Sequence, residues 1–144
     1  MLDADAGSLA DNATGTVQSE SVVLGDLNVA PADIDVWDPH RYRSRNLTSP
    51  PEREAFAQLL AGDTDDPTTP RLADIVRREL GEEHGYSWWN RRGDFYDSDR
   101  GWRLDHILAS PGIAATAQNL AIDRGVRGQP GSSDHAPMRV DFNI

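Results

Sequence analysis

Apolar residues along this chain come in short runs divided by turn-forming clusters, and most of the runs pattern as strands. Ser21-Val22-Val23-Leu24-Gly25-Asp26 is β-branched and apolar until Gly25 halts it, the pattern of a buried strand that delivers Asp26 to a loop. Residues 31–51 hold four prolines among alternating charges and predict a long surface loop. A helix follows. Ser49-Pro50-Pro51-Glu52 matches a capping box with proline in the first turn, and Ala55, Phe56, Leu59 and Leu60 share one helical face before Gly62. Positions 72, 75, 76 and 80 are apolar at helical spacing.

Further along, Tyr86-Ser87-Trp88-Trp89 is aromatic and strand-like, and Arg91-Arg92-Gly93-Asp94 reads as a turn. Residues 102–110 alternate as a strand up to Pro111-Gly112, residues 114–122 fit either strand or helix, and residues 138–142 alternate as a final strand. Gln129-Pro130-Gly131-Ser132-Ser133 is a loop. Residues 1–20 are small, polar and acidic without a strand or helix period, which predicts a flexible tail. Strands dominate, with one firm helix between them.

With 144 residues and 38% hydrophobic content the chain fits one domain with an ordinary core. Its 14 basic against 24 acidic residues give a formal charge of -10, the wrong sign for a protein whose affinity comes mainly from neutralising phosphates. Any nucleic-acid contact must therefore be local. Every basic residue is Arg and none is Lys, a surface suited to molar salt, where the Debye length falls to about 3 Å, although GC-rich coding would produce the same skew. The absence of Cys excludes disulfides and thiolate metal sites. No apolar run approaches the ~18 residues of a membrane span, and the first twenty residues lack a basic start and an apolar centre, so a soluble cytoplasmic protein without a membrane partner is expected.

Three patches carry chemistry: Gly25-Asp26-Leu27-Asn28, Gly101-Trp102-Arg103-Leu104-Asp105-His106, and Ser132-Ser133-Asp134-His135-Ala136-Pro137. Taken singly, Asp26 and Asn28 read as turn formers. Asp105 is harder to explain structurally, because a carboxylate inside an alternating strand must be solvated or paired. His106 falls on the opposite face from Asp105 and reads as structural, as do His40 and His84. The tryptophans default to core, and Asp63, Asp65 and Asp66 to a solvated loop. Arg91, Arg92, Arg100 and Arg103 flank the aromatics and are candidates for a local positive patch.

In order and content the three patches resemble the exonuclease III family of abasic-site endonucleases, within the endonuclease/exonuclease/phosphatase superfamily. There GD-x-N, W-R-[LI]-D and S-D-H-[AC]-P recur in this sequence order, and the likeness runs from about residue 22 to 142. Asp33-Ile34-Asp35-Val36-Trp37-Asp38-Pro39 and Tyr86-Ser87-Trp88-Trp89 also look like that family, and the resemblance recasts residues 72–77 as a short strand in place of a helix. It implies an α+β fold with a mixed, mainly antiparallel sheet and flanking helices, one half of the four-layer α/β sandwich of the DNase I-like fold. Residues 21–144 would be its C-terminal half.

The activity implied is phosphodiester hydrolysis in DNA, as an abasic-site endonuclease or 3′-5′ exonuclease of base-excision repair acting on duplexes with abasic sites or 3′ ends. A phosphodiester repels nucleophiles and has a poor leaving group, and a hard cation such as Mg²⁺ or Mn²⁺, bound by carboxylate and water oxygens, relieves both problems. By resemblance, Asp26 binds or deprotonates the attacking water and Asn28 holds the phosphate or that water, both near the metal. Asp134 lies on the metal side. His135 donates to a phosphate oxygen, and Asp105 fixes its tautomer. Trp102, with Trp88 and Arg103, contacts substrate, Trp102 walling a pocket for a sugar without its base.

The family's first-half Asn, metal-binding Glu and phosphate-touching Tyr have no counterpart in residues 1–20. A metal site without its main carboxylate binds weakly, and a sheet built to pack on another sheet leaves an apolar face exposed. Such a chain is expected to take a complementary N-terminal half or to self-associate. The alternatives are a phosphatase or phosphodiesterase acting on another substrate, and an inactive fragment serving as a binding or assembly module.

Overall fold

The computed structural model describes residues 20–63, 65–66 and 71–144, so the tail expected at residues 1–20 lies outside the described residues except for Glu20. The architecture is α+β with antiparallel sheets. Strand β1 (Val22–Asp26) pairs with β3 (Asp105–Ala109), Val22 facing Ala109 and Asp26 facing Asp105. On the other side of β3 lies β2 (Ala73–Asp74), giving the order β1-β3-β2. A separate antiparallel pair joins β4 (Ala117–Ile122) to β5 (Met138–Phe142), with a bulge between Gln118 and Ala121.

The expectation of a buried strand at β1 is corrected to an edge strand with one covered face. Alternation sends Val23 toward Phe56 and Leu108, beneath helix α1 (Pro50–Ala61), while Val22 and Leu24 face the other way at 39% and 69% exposure. Helix α1 begins as its sequence predicts: the Glu52 carboxylate reaches back to accept from the backbone N–H of Ser49 at 2.9 Å and of Leu47 at 3.0 Å.

The recasting of residues 72–77 as a strand is also corrected. Two residues pair with β3 and the chain then turns at once into helix α2 (Ile75–Leu80). Asp74 caps it by accepting from the Arg77 N–H at 3.1 Å, and Ile75 and Val76 are buried against Ile107 and Ala109. The helical spacing of the apolar residues, supported by this cap, decides the conformation. Residues 114–122 divide between the short helix α3 (Pro111–Ala114) and β4, and a further short helix, α4 (Arg124–Arg127), follows Asp123.

The strand expected over residues 102–110 joins the ladder only from Asp105 onward. Its first part bridges instead to the aromatic segment, with Trp88 and Trp102 exchanging backbone bonds of 2.9 Å. The opposite edge of that segment receives the Ala136 N–H at Ser87 O, 2.7 Å, and donates Trp89 N–H to Asp134 O, 3.1 Å. Residues 86–89 are thus a splice between the chain carrying Asp105 and the chain carrying His135. No helix among the described residues is long and apolar enough to cross a membrane.

Candidate active site

Each acid of the three patches is set by a different element. Asp26 ends β1 and Asp105 begins β3, and their register pairing puts both carboxylates on one face of the sheet. His135 arrives from the loop before β5, carried in by the splice at residues 86–89. Its Nδ1 is 2.8 Å from Asp105 Oδ2 and its Nε2 is 3.8 Å from Asp26 Oδ2. An ionised carboxylate can only accept, so the proton on the Asp105 side belongs to Nδ1, and Nε2 is left facing Asp26 and solvent. The three side chains are partly exposed, as a site that must admit a ligand requires.

Asn28 sits in the left-handed region at φ 52°, and its backbone N–H donates to Asp26 Oδ1 at 2.8 Å. This is an Asx-turn in which one Asp26 oxygen holds the turn while the other faces His135. Asp134 is held apart from this trio. Its Oδ2 accepts from the Trp88 indole N–H at 3.0 Å, and Oδ1 lies 3.9 Å from Arg91 Nε. Partial burial raises the Asp134 carboxyl, but the Trp88 hydrogen bond, with His135 and Arg91 nearby, outweighs it and holds the group below the ordinary carboxylate range.

Arg103 is corrected from a substrate contact to a core residue. It is 1% exposed, and its guanidinium is spent on Asp35 at 2.6 and 3.1 Å, on Asp74 at 2.8 Å and on His106 Nδ1 at 3.0 Å. Burial alone would raise the Asp35 carboxyl, yet Arg103 and then Arg77 hold it below its usual range. Trp102 is 6% exposed, packed against Ala30, Val36 and Leu104 with Tyr42 edge-on at 4.8 Å, while Trp88 beside it is only half-buried. Of the expected positive patch, Arg91 and Arg92 are exposed, and Arg100 lies over the Trp37 ring at 5.3 Å.

Two residues escaped sequence reasoning. Ser87 is fully buried, and its hydroxyl accepts from the N–H groups of Leu104 and Asp105 at 3.1 and 3.0 Å, fixing the start of β3. A lone hydroxyl in an aromatic run was the available signal, because a buried polar group must find partners. Asp35, also fully buried, lies in the segment of residues 33–39 that resembles the family, but nothing in that segment marks it as the partner of Arg103.

The match to the family model described as the Endonuclease/Exonuclease/phosphatase family covers residues 4–135. The chain belongs to this family. It is 34% identical over 128 residues to the exodeoxyribonuclease of Bacillus subtilis, covering 88% of this chain and 46% of that protein. Exodeoxyribonuclease III of Haemophilus influenzae is 29% identical over 126 residues, 84% of this chain and 45% of that protein. The AP endonuclease of Archaeoglobus fulgidus superposes with a TM-score of 0.76 at 29% identity, covering 88% of this chain and 46% of that one. The chain thus spans less than half the length of each of these relatives.

Nucleases of this family type depend on a divalent ion, and the described residues fit one only in part. They contain no group of three acid or imidazole side chains placed to hold an ion. Asp26 can offer an oxygen and Asn28 stands beside it, but Asp134 is engaged by Trp88. Mg²⁺ keeps several waters and takes one or two carboxylates, so the donors here are a fraction of a site. What these residues do unaided is hold an imidazole between two carboxylates at the mouth of a groove of about 480 Å³ lined by Leu24, Ile107, Met138 and Phe142.

Proposed function

We infer that the chain is the phosphate-binding half of a DNA phosphodiesterase, cutting at abasic sites or trimming 3′ ends. The observation that carries this reading is the Asp105–His135–Asp26 arrangement, 2.8 and 3.8 Å apart, from segments 30 and more residues distant in sequence. Asp105 orients the imidazole, and Nε2 is the atom that would donate to a non-bridging phosphate oxygen as charge builds there. Asn28 lies at the same edge through its Asx-turn with Asp26. Trp88, half-buried beside Trp102, offers the accessible aromatic surface for a sugar lacking its base. Exposed Arg91 and Arg92 supply local positive charge on an acidic molecule.

Magnesium or manganese would add Lewis-acid activation of water and phosphate, with Asp26 and Asn28 completed by a carboxylate from a complementary N-terminal half. Leu24 at 69% exposure on an edge strand beside the groove supports such an apolar partner surface, with self-association as the competing use of the same face. A binding module without activity is the second reading, favoured by the incomplete donor set.

The test is a substrate panel. The chain, alone and mixed with the N-terminal half of the Bacillus subtilis relative, is given Mg²⁺ with an abasic duplex, a 3′-phosphorylated duplex and inositol phosphates. The reading expects incision or 3′ processing of DNA in the mixture. Turnover of inositol phosphates alone would assign another substrate, and no turnover in any arm would leave the binding module.

A further inference from the structure

His106 has been read as structural, yet its two ring nitrogens connect the buried ionic network to the loop that carries the site. Arg103 Nη1 lies 3.0 Å from His106 Nδ1, and the carbonyl of Val29 lies 3.0 Å from Nε2. A guanidinium can only donate, so Nδ1 must accept, and the ring proton must sit on Nε2 and be given to Val29. The ring is 1% exposed and packed at 4.7 Å from Phe56, which leaves it no other arrangement to adopt. Arg103 is itself immobilised by Asp35 and Asp74. Val29 follows directly on Asn28, whose left-handed backbone closes the Asx-turn on Asp26.

We propose that His106 is a positioning residue: as the Nε2–H tautomer it ties the Val29 carbonyl to the Arg103–Asp35 network and so fixes the turn presenting Asp26 and Asn28. Adjacent residues of β3 then divide the work by strand alternation. Asp105 on one face holds His135, and His106 on the other holds the loop that ends in Asp26's partner. One strand sets the gap between Asp26 and His135 from both sides.

The inference rests on reading Asp26 and Asn28 as site residues, but the tether can be tested whether or not the chain cuts DNA. Glutamine places an amide donor at the reach of Nε2, whereas asparagine reaches only as far as Nδ1. Amide hydrogen exchange by NMR is compared in the full wild-type chain, His106→Gln and His106→Asn. His106→Asn is expected to speed exchange about five- to tenfold at Leu27 and Ala30, whose N–H groups bond to Leu104 and Leu47. His106→Gln should stay within about twofold of wild type there, and Ile107 in β3 should not change in either. Ring ¹⁵N shifts of the wild type should report Nε2–H. Equal exchange in the two variants, a uniform rise across β3 as well, or an Nδ1–H tautomer would overturn the proposal. Where cleavage is measurable, His106→Asn should lower kcat more than it raises KM, and His106→Gln should restore it.

Discussion

Asp26 and Asp105 face each other across the β1–β3 ladder, one carboxylate closing one strand and the other opening its neighbour. Like charges in directly opposed positions are unfavourable. The pair is tolerable because each has its own employment: Asp26 accepts from the Asn28 N–H and Asp105 from His135 Nδ1. Asp26 has a structural reason in its turn, whereas Asp105, inside the ladder, is accounted for by its bond to His135.

Replacing Asp35 by Asn should destabilise the chain by about 3–5 kcal/mol, because it strips the main counter-charge from a guanidinium that is 1% exposed. The urea midpoint measures this. The double variant Asp35→Leu with Arg103→Met removes both charges together and should lose less than Asp35→Asn alone. A double variant that loses as much as Asp35→Asn, or more, would contradict this coupling.

Stability should fall as pH drops through the range just below neutrality. Burial first, and then the charge of Arg103, hold the His106 imidazole below its ordinary value of 6.5, with Asp74 and Asp35 opposing. The unfolded chain therefore binds this proton more readily than the folded one. The contribution is fully present above about pH 6.5 and declines below it, by up to about 1.4 kcal/mol per pH unit until the folded value is reached. Urea midpoints at pH 7.5 and 5.5 should converge in His106→Gln relative to wild type. Parallel behaviour of the two proteins would contradict this assignment.

Leu24→Asp should leave folding stability within about 0.5 kcal/mol of wild type, since the side chain is 69% exposed, yet abolish capture of a complementary half or of a second copy. Light scattering after size exclusion, with and without the N-terminal half of a relative, checks it. Unchanged association would move the docking face elsewhere.

Much of this was legible in the residues. The capping box at Ser49 and Glu52 and the alternation of residues 138–142 each predicted their element, while the pairing of Asp105 with His135, 2.8 Å apart in the structure, was implied by the family resemblance alone. What failed did so for tertiary reasons. Arg103 looked like a surface cation because Arg is mostly exposed, and nothing local announces that Asp35, 68 residues earlier, waits for it in the core. At residues 72–77 the helical period of the apolar positions, capped by Asp74, prevails over the strand that the resemblance implies. Leu24 reads as core by composition, and only the sheet order reveals it as an edge.

The claim on which the rest depends is that Asp105 and His135 act as one unit on a phosphate. Single-turnover cleavage of an abasic duplex with Mg²⁺, by the chain supplied with a complementary half, measures it in wild type, Asp105→Asn, His135→Gln and the double variant. Each single change should slow cleavage by about 10²–10⁴-fold, and the double variant should be no slower than the worse single one. Variants that cut at the wild-type rate, or losses that multiply in the double variant, would contradict the account.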